Sequence, residues 1–129
     1  MRIGITERGD AATDLSWINK LSTVDGCVVI TKNPKHPKVQ EALLKNADKC
    51  ILHATITGWG ASVLEPNVPM WPKAIDAVTN LVNNGFPREH VVIRVDPIMP
   101  WDTSPSFNVI NAAYARGFRR FRLSVLDTY

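Results

Sequence analysis

Five short segments place polar and charged residues directly behind apolar runs: Thr6-Glu7-Arg8, Thr31-Lys32-Asn33, Thr57-Gly58-Trp59-Gly60, Arg94-Val95-Asp96-Pro97 and Ser124 through Tyr129, which includes Asp127. Arg94 is suited to a carboxylate or phosphate, and Asp96 to a ribose hydroxyl or an ammonium. Glu7 and Arg8 offer the same pair of charges earlier in the chain. Residues two apart on a strand point the same way, so His53, Thr55 and Thr57 share one face, and Arg94 and Asp96 share another. A charge on a strand's interior face must be paired or must serve a ligand. Pairing with strand neighbours is the plain alternative for Arg94 and Asp96, as a satisfied core histidine is for His53. The loop Glu65-Pro66-Asn67-Val68-Pro69 adds a carboxylate and an amide, stiffened by two prolines. Trp59, Trp71 and Trp101 follow strands, where an aromatic ring stacks on a base or packs over a pocket mouth.

The elements that must carry these groups follow from periodicity and punctuation. Met1 to Thr6 reads as a strand, and residues 11 to 22 as a helix with Leu15, Ile18 and Leu21 at helical spacing. Cys27 to Thr31 is nearly all apolar, as in a parallel strand buried on both faces. Pro34 and Pro37 precede a helix over about 38 to 47, with Val39, Ala42 and Leu43 on one side. Cys50 to Thr57 is the third strand, and a long loop runs from Gly58 to Trp71. Pro72 suits the first turn of a helix whose stripe is Ile75, Val78, Leu81 and Val82, ended by Asn84 and Gly85. Val91 to Val95 is a strand closed by Pro97 and Pro100. Ser104 reads as an N-cap before Pro105, with Phe107, Ile110 and Tyr114 as the buried face of a helix that Gly117 ends. Phe121 to Leu126 is the fifth strand.

Alternation of this kind implies a parallel sheet with right-handed crossovers. A doubly wound sheet and a barrel both fit. Glu7-Arg8-Gly9-Asp10 stands where a glycine-rich phosphate loop would follow the first strand of a nucleotide-binding sheet, which favours the barrel. The expected fold is α/β, a partial (β/α) barrel of about five parallel strands and four helices in a single domain over 1–129. A full barrel has eight strands and about 250 residues. The chain is therefore expected to lack a carboxyl-terminal continuation, or to be covered at its edges by another polypeptide or by itself. Active sites of barrels lie at the carboxyl ends of the strands, where the polar segments fall.

The bulk properties bound the function. Hydrophobic residues make up 45% and charged residues 21% of 129 residues, as in a globular domain. No apolar run reaches the ~18 residues that span a membrane, and no signal peptide opens the chain, so a cytoplasmic protein without a membrane partner is expected. A net charge of +3 permits an anionic ligand without demanding one. Arg116, Arg119, Arg120 and Arg122, interleaved with Phe118 and Phe121, could grip nucleic acid or simply remain solvated. Cys27 and Cys50 have no partners at zinc spacing and read as buried thiols, not as a disulfide. No nucleophile elbow, Walker loop or HExxH motif is present.

Six segments together carry a family resemblance: Ile5-Thr6-Glu7-Arg8-Gly9-Asp10, Val29-Ile30-Thr31-Lys32-Asn33-Pro34, Thr55-Ile56-Thr57-Gly58-Trp59-Gly60, Glu65-Pro66-Asn67-Val68-Pro69, Ile93-Arg94-Val95-Asp96-Pro97-Ile98 and Leu123-Ser124-Val125-Leu126-Asp127-Thr128-Tyr129. In order and spacing they resemble uncharacterised bacterial and phage proteins related to spore photoproduct lyase, within the radical S-adenosylmethionine enzymes. The resemblance implies the amino-terminal portion of a partial barrel that binds S-adenosylmethionine and a [4Fe-4S] cluster and generates a 5′-deoxyadenosyl radical. It implies cofactor contacts from Thr31, Asn33, Thr57, Arg94 and Asp96. Substrate contacts would come from Glu7, Arg8, Lys32, His53, Thr55, Glu65, Asn67 and Asp127. The family's cluster cysteines follow the region represented here, and Cys27 and Cys50 do not match them, so the cluster ligands are not in this chain.

Three readings follow. The first is part of a radical enzyme, acting on a small molecule, a nucleotide or nucleic acid. The second is a non-catalytic module that binds a nucleotide or a partner. The third is a barrel enzyme using His53, Asp96 and Glu7 for acid–base chemistry.

Overall fold

Apolar, β-branched runs form the strands, and the amphipathic segments between them form helices that return the chain to start the next parallel strand. The computed structural model describes residues 2–5 and 10–126. The strands are β1 (Ile3–Ile5), β2 (Gly26–Thr31), β3 (Cys50–Thr55), β4 (Val91–Ile98) and β5 (Phe121–Val125). The helices are α1 (Trp17–Lys20), α2 (Pro37–Lys45), α3 (Trp71–Asn83) and α4 (Ser104–Ala115). All neighbouring strands pair in parallel, in the order β1-β2-β3-β4-β5.

Sequential order decides between the two candidate folds. A doubly wound sheet reverses its winding at a switch point, so its strand order jumps, and helices cover both faces. An unbroken order with crossovers of one hand keeps every helix on one side. The helix-facing residues are accordingly sealed: Val29, Leu52, Ala54, Ile93 and Val95 are fully buried against Val39 and Leu43 of α2, Ile75 and Val78 of α3, and Val109 and Ala113 of α4. The opposite face stays open. Val28, Ile30, Ile51, His53, Val92 and Arg94 are half-buried, and Ile3 and Ile5 are exposed. The fold is α/β, a partial barrel, and its strands are not buried on both faces as their apolar runs suggest.

The amino-terminal ends of β4 and β5 are set by two identical helix stops. Phe86 N–H donates to Leu81 O and Phe118 N–H donates to Ala113 O, both at 3.1 Å. Each bond closes a Schellman motif around a glycine with positive φ, Gly85 or Gly117. Both phenylalanines are only 1% exposed and plug the core.

Several boundaries differ from the periodicity. The helix over 11 to 22 is only Trp17–Lys20, followed by a 3-10 turn at Leu21–Thr23. Asp10 and Asp14 each bond the backbone two residues on, at Ala12 (2.8 Å) and Ser16 (3.0 Å), which makes two Asx turns in place of helix. β3 stops at Thr55 instead of Thr57, and β4 continues through Pro97 to Ile98 with a register shift after Val95. The Asp96-Pro97 peptide bond is cis. Ser104 lies within α4, with Thr103 at the cap. The α4 stripe is also out of phase. Ser106, Val109 and Ala113 are buried, whereas Phe107 and Tyr114 are 51% and 57% exposed. Small side chains let α4 lie close to the sheet, and the Tyr114 ring instead sits under the Arg119 guanidinium at 3.8 Å.

Candidate functional site

The carboxyl end of β2 is fastened by Asp10. Its Oδ1 accepts the Thr31 hydroxyl at 2.5 Å, and its Oδ2 accepts the Lys32 backbone N–H at 2.5 Å. Asn33 N–H donates to Thr31 Oγ1 at 2.9 Å. Thr31 is thus buried at the turn that carries Lys32 and Asn33, and its own hydroxyl is committed.

Glu65 clasps the next strand end. It takes the Lys32 ammonium at 2.5 Å on Oε2 and the Thr57 hydroxyl on Oε1, and Trp59 N–H donates to Thr57 Oγ1 at 3.1 Å. The loop between β3 and α3 folds back tightly. A Cβ on Gly58 would stand 2.4 Å from the Pro105 carbonyl carbon, and one on Gly60 would stand 1.9 Å from the Pro69 carbonyl oxygen. Buried Ser106 donates to Thr57 O at 2.6 Å, locking this loop to α4.

At the end of β4, Arg94 Nη2 donates to Asp96 Oδ2 at 3.2 Å, with the two side chains 20% and 35% exposed. This is the pairing that alternation on the strand allows. It leaves Arg94 Nε buried without a partner. Arg94, Asp96, Thr55, Asp10 and Lys32 wall an open cavity of about 350 Å³ floored by Ile30. A second cavity, of about 270 Å³, shares Asp10 and Lys32 and adds Asn33, Asn67 and Val68. Asn33 Oδ1 is buried and unpartnered.

His53 lies two residues before Thr55 on β3, in register with Ile30 of the cavity floor and with Val92. Its Nδ1 is buried without a hydrogen bond. Burial, helped by the positive charges of Arg94, Arg122 and Arg120, lowers its pKa and favours the neutral ring.

The structure therefore brings Thr31, Lys32, Thr55, Arg94 and Asp96 around one cavity, with Asn33 and Asn67 in the adjoining one and Glu65 and Thr57 as the clasp beside them. Glu7, Arg8 and Asp127 lie outside the described residues. Two groups escaped the sequence reading. Asp10 organises the β2 end, and its only local signal is an Asx turn. Ser106 is a serine in a helix, with nothing in the sequence to mark its contact. Of the tryptophans, Trp101 is 61% exposed, Trp71 opens α3, and Trp59 has a buried Nε1 without a partner.

The basic stretch is largely occupied within the chain. Arg116 pairs with Asp76 at 2.7 Å, Arg119 donates to the Tyr114 and Phe118 carbonyls, and Arg120 donates to Glu89 O. Cys27 and Cys50 are register partners near the amino ends of their strands, at the other end of the sheet from the cavity. Both are free and buried, and burial pushes Cys50 up to about 12 and raises Cys27. Among the described residues no three His, Cys, Asp or Glu side chains are grouped to hold a metal ion, and no helix is long and apolar enough to cross a membrane.

No curated protein matches the chain. Among solved structures, the crystal structure of beta-mannanase from Streptomyces thermolilacinus matches with a TM-score of 0.52 at 16% identity, covering 95% of this chain and 47% of that one. The chain thus spans about half the length of the mannanase, and a likeness at this identity speaks for the fold alone. Residues 12–129 match the family described as Domain of unknown function (DUF1848), a span that takes in the ends of β2, β3 and β4, and the chain belongs to that family.

Proposed function

We propose that this chain is the amino-terminal part of a radical S-adenosylmethionine, spore-photoproduct-lyase-like enzyme, and that the cavity at the ends of β2, β3 and β4 takes S-adenosylmethionine. The observation that carries the reading is Arg94. Its Nε is buried and unpaired on the cavity wall, beside the Asp96 carboxylate that it meets through Nη2. A guanidinium next to a carboxylate fits the amino-acid end of the cofactor, carboxylate to Arg94 and ammonium to Asp96. Thr55 and Asn33 offer further polar groups around the two cavities, while Thr31 and Thr57 hold the strand ends in place. When bound, the cofactor supplies a sulfonium whose reductive cleavage gives the 5′-deoxyadenosyl radical. The residues of this chain bind and orient it.

The [4Fe-4S] cluster does not fit these residues. Two thiols buried at the far end of the sheet, with raised pKa values, are neither numerous nor acidic enough to ligate it. Its ligands would come from a completing polypeptide. The test is calorimetric titration of S-adenosylmethionine into the parent chain and into Arg94→Ala. Binding that weakens at least tenfold in the variant, with an unchanged circular dichroism spectrum, is expected. Equal binding by both would remove the assignment. Anaerobic iron–sulfur reconstitution should load a cluster only when a cysteine-bearing partner segment is present.

The same thiol placement favours a second reading, a non-catalytic module that binds a nucleotide or a partner. That reading would stand if no cysteine-bearing partner segment confers a cluster.

A further inference from the structure

The open face of the sheet carries charge that the cofactor reading leaves uncompensated. Thr55, Arg94 and Arg122 are register partners across β3, β4 and β5, so their side chains stand side by side on that face. Adjacent strands lie about 4.8 Å apart, and like charges directly opposite one another repel. Arg94 gives Nη2 to Asp96 and keeps its remaining N–H donors. Arg122 has no ion pair or hydrogen bond from its side chain among the described residues, unlike Arg116, Arg119 and Arg120 of the same segment. It is also exposed, so it is open to a ligand. One row lower on β3 stands His53, whose Nδ1 is buried and unpartnered. Arg94 and Arg122 thus stand one row above that ring on the same open face. Two long guanidinium side chains on neighbouring strands can converge their N–H donors on the oxygens of one phosphoryl group.

We propose that Arg94 and Arg122, with His53 beneath them, bind the phosphoryl group of a phosphate monoester lying across β3 to β5. This deepens the proposed function, because it names the substrate class for the same open face and rests on that face being a ligand site. S-adenosylmethionine has a carboxylate and no phosphate, so only the phosphate needs Arg122.

The experiment is calorimetry on the 129-residue chain with adenosine, adenosine 5′-monophosphate, an unphosphorylated thymidine oligonucleotide and S-adenosylmethionine. The monophosphate should bind at least tenfold more tightly than adenosine. Arg122→Gln should erase that advantage, Arg122→Lys should keep part of it, and S-adenosylmethionine should bind both variants as it binds the parent. Circular dichroism of each variant checks the fold. Equal binding of adenosine and its monophosphate by the parent, or an undiminished advantage in Arg122→Gln, overturns the proposal. Arg122-dependent binding of the oligonucleotide without binding of the monophosphate overturns it in favour of a phosphodiester. A phosphate advantage without S-adenosylmethionine binding would sink the cofactor assignment and leave this one standing.

Discussion

Asp10 illustrates how one side chain can set a site without lining it alone. It accepts from the Thr31 hydroxyl and from the backbone N–H groups of Lys32 and Ala12. Asp10→Ala would leave those donors without their acceptor, so we expect a loss of about 3 kcal/mol, read from urea unfolding. A loss below about 1 kcal/mol would mean that the β2 turn stands without it. His53 makes a prediction with a sign. Its folded pKa lies below the ordinary 6.5, so the folded state prefers the neutral ring and the unfolded chain binds the proton more readily. Its contribution to stability is complete above pH 6.5 and is lost as pH falls towards the lowered value. The unfolding midpoint of the parent should therefore drop more steeply below that pH than the midpoint of His53→Gln. Parallel curves for the two proteins would refute the shift.

At the scale of elements, the loop between β3 and α3 is held by close backbone approach. Gly58 has φ +94° and no room for a Cβ against Pro105, whereas Gly85 has φ +116° with nothing within 4 Å of the added atom. Gly58→Ala should cost about 3 kcal/mol, from strain and from displacement of α4. Gly85→Ala should cost only about 1–2 kcal/mol, from the backbone conformation alone. Thermal unfolding of the pair separates crowding from conformation, and equal losses would count against the Pro105 contact. The Ser106–Thr57 bond belongs to the same junction. Loosening it is expected to disturb Glu65 and, through their ion pair, Lys32, which borders both cavities.

On the scale of the whole molecule, the sheet has a sealed face and an open one. Ile3 and Ile5 are 63% and 50% exposed at one edge, and Leu123 and Val125 are 53% and 59% exposed at the other. Unpaired strand edges beside apolar surface favour association. Sedimentation should show a concentration-dependent rise in mass for the parent, reduced in Ile5→Lys. A parent that stays monomeric at all concentrations would rule this out.

Much of this molecule is written locally. The order of strands and helices, the glycine stops after α3 and α4, the stripes of α2 and α3 and the polar strand ends all follow from short-range spacing and turn chemistry, which act within a few residues. His53 could be put beside Thr55, and Arg94 beside Asp96, because alternation on a strand is a local rule. The α1 boundary failed because Asx turns at Asp10 and Asp14 outcompeted helix. The α4 face failed because close packing against the sheet chose small residues over large ones. Non-local facts needed the tertiary structure. Strand order left one face of the sheet open, although strands of unbroken apolar sequence suggested burial on both. Parallel register set Arg94 between Thr55 and Arg122, and Asp10 met the end of β2. Those groups come from distant stretches of sequence, and only packing of the helices on one side of the sheet decides that they meet.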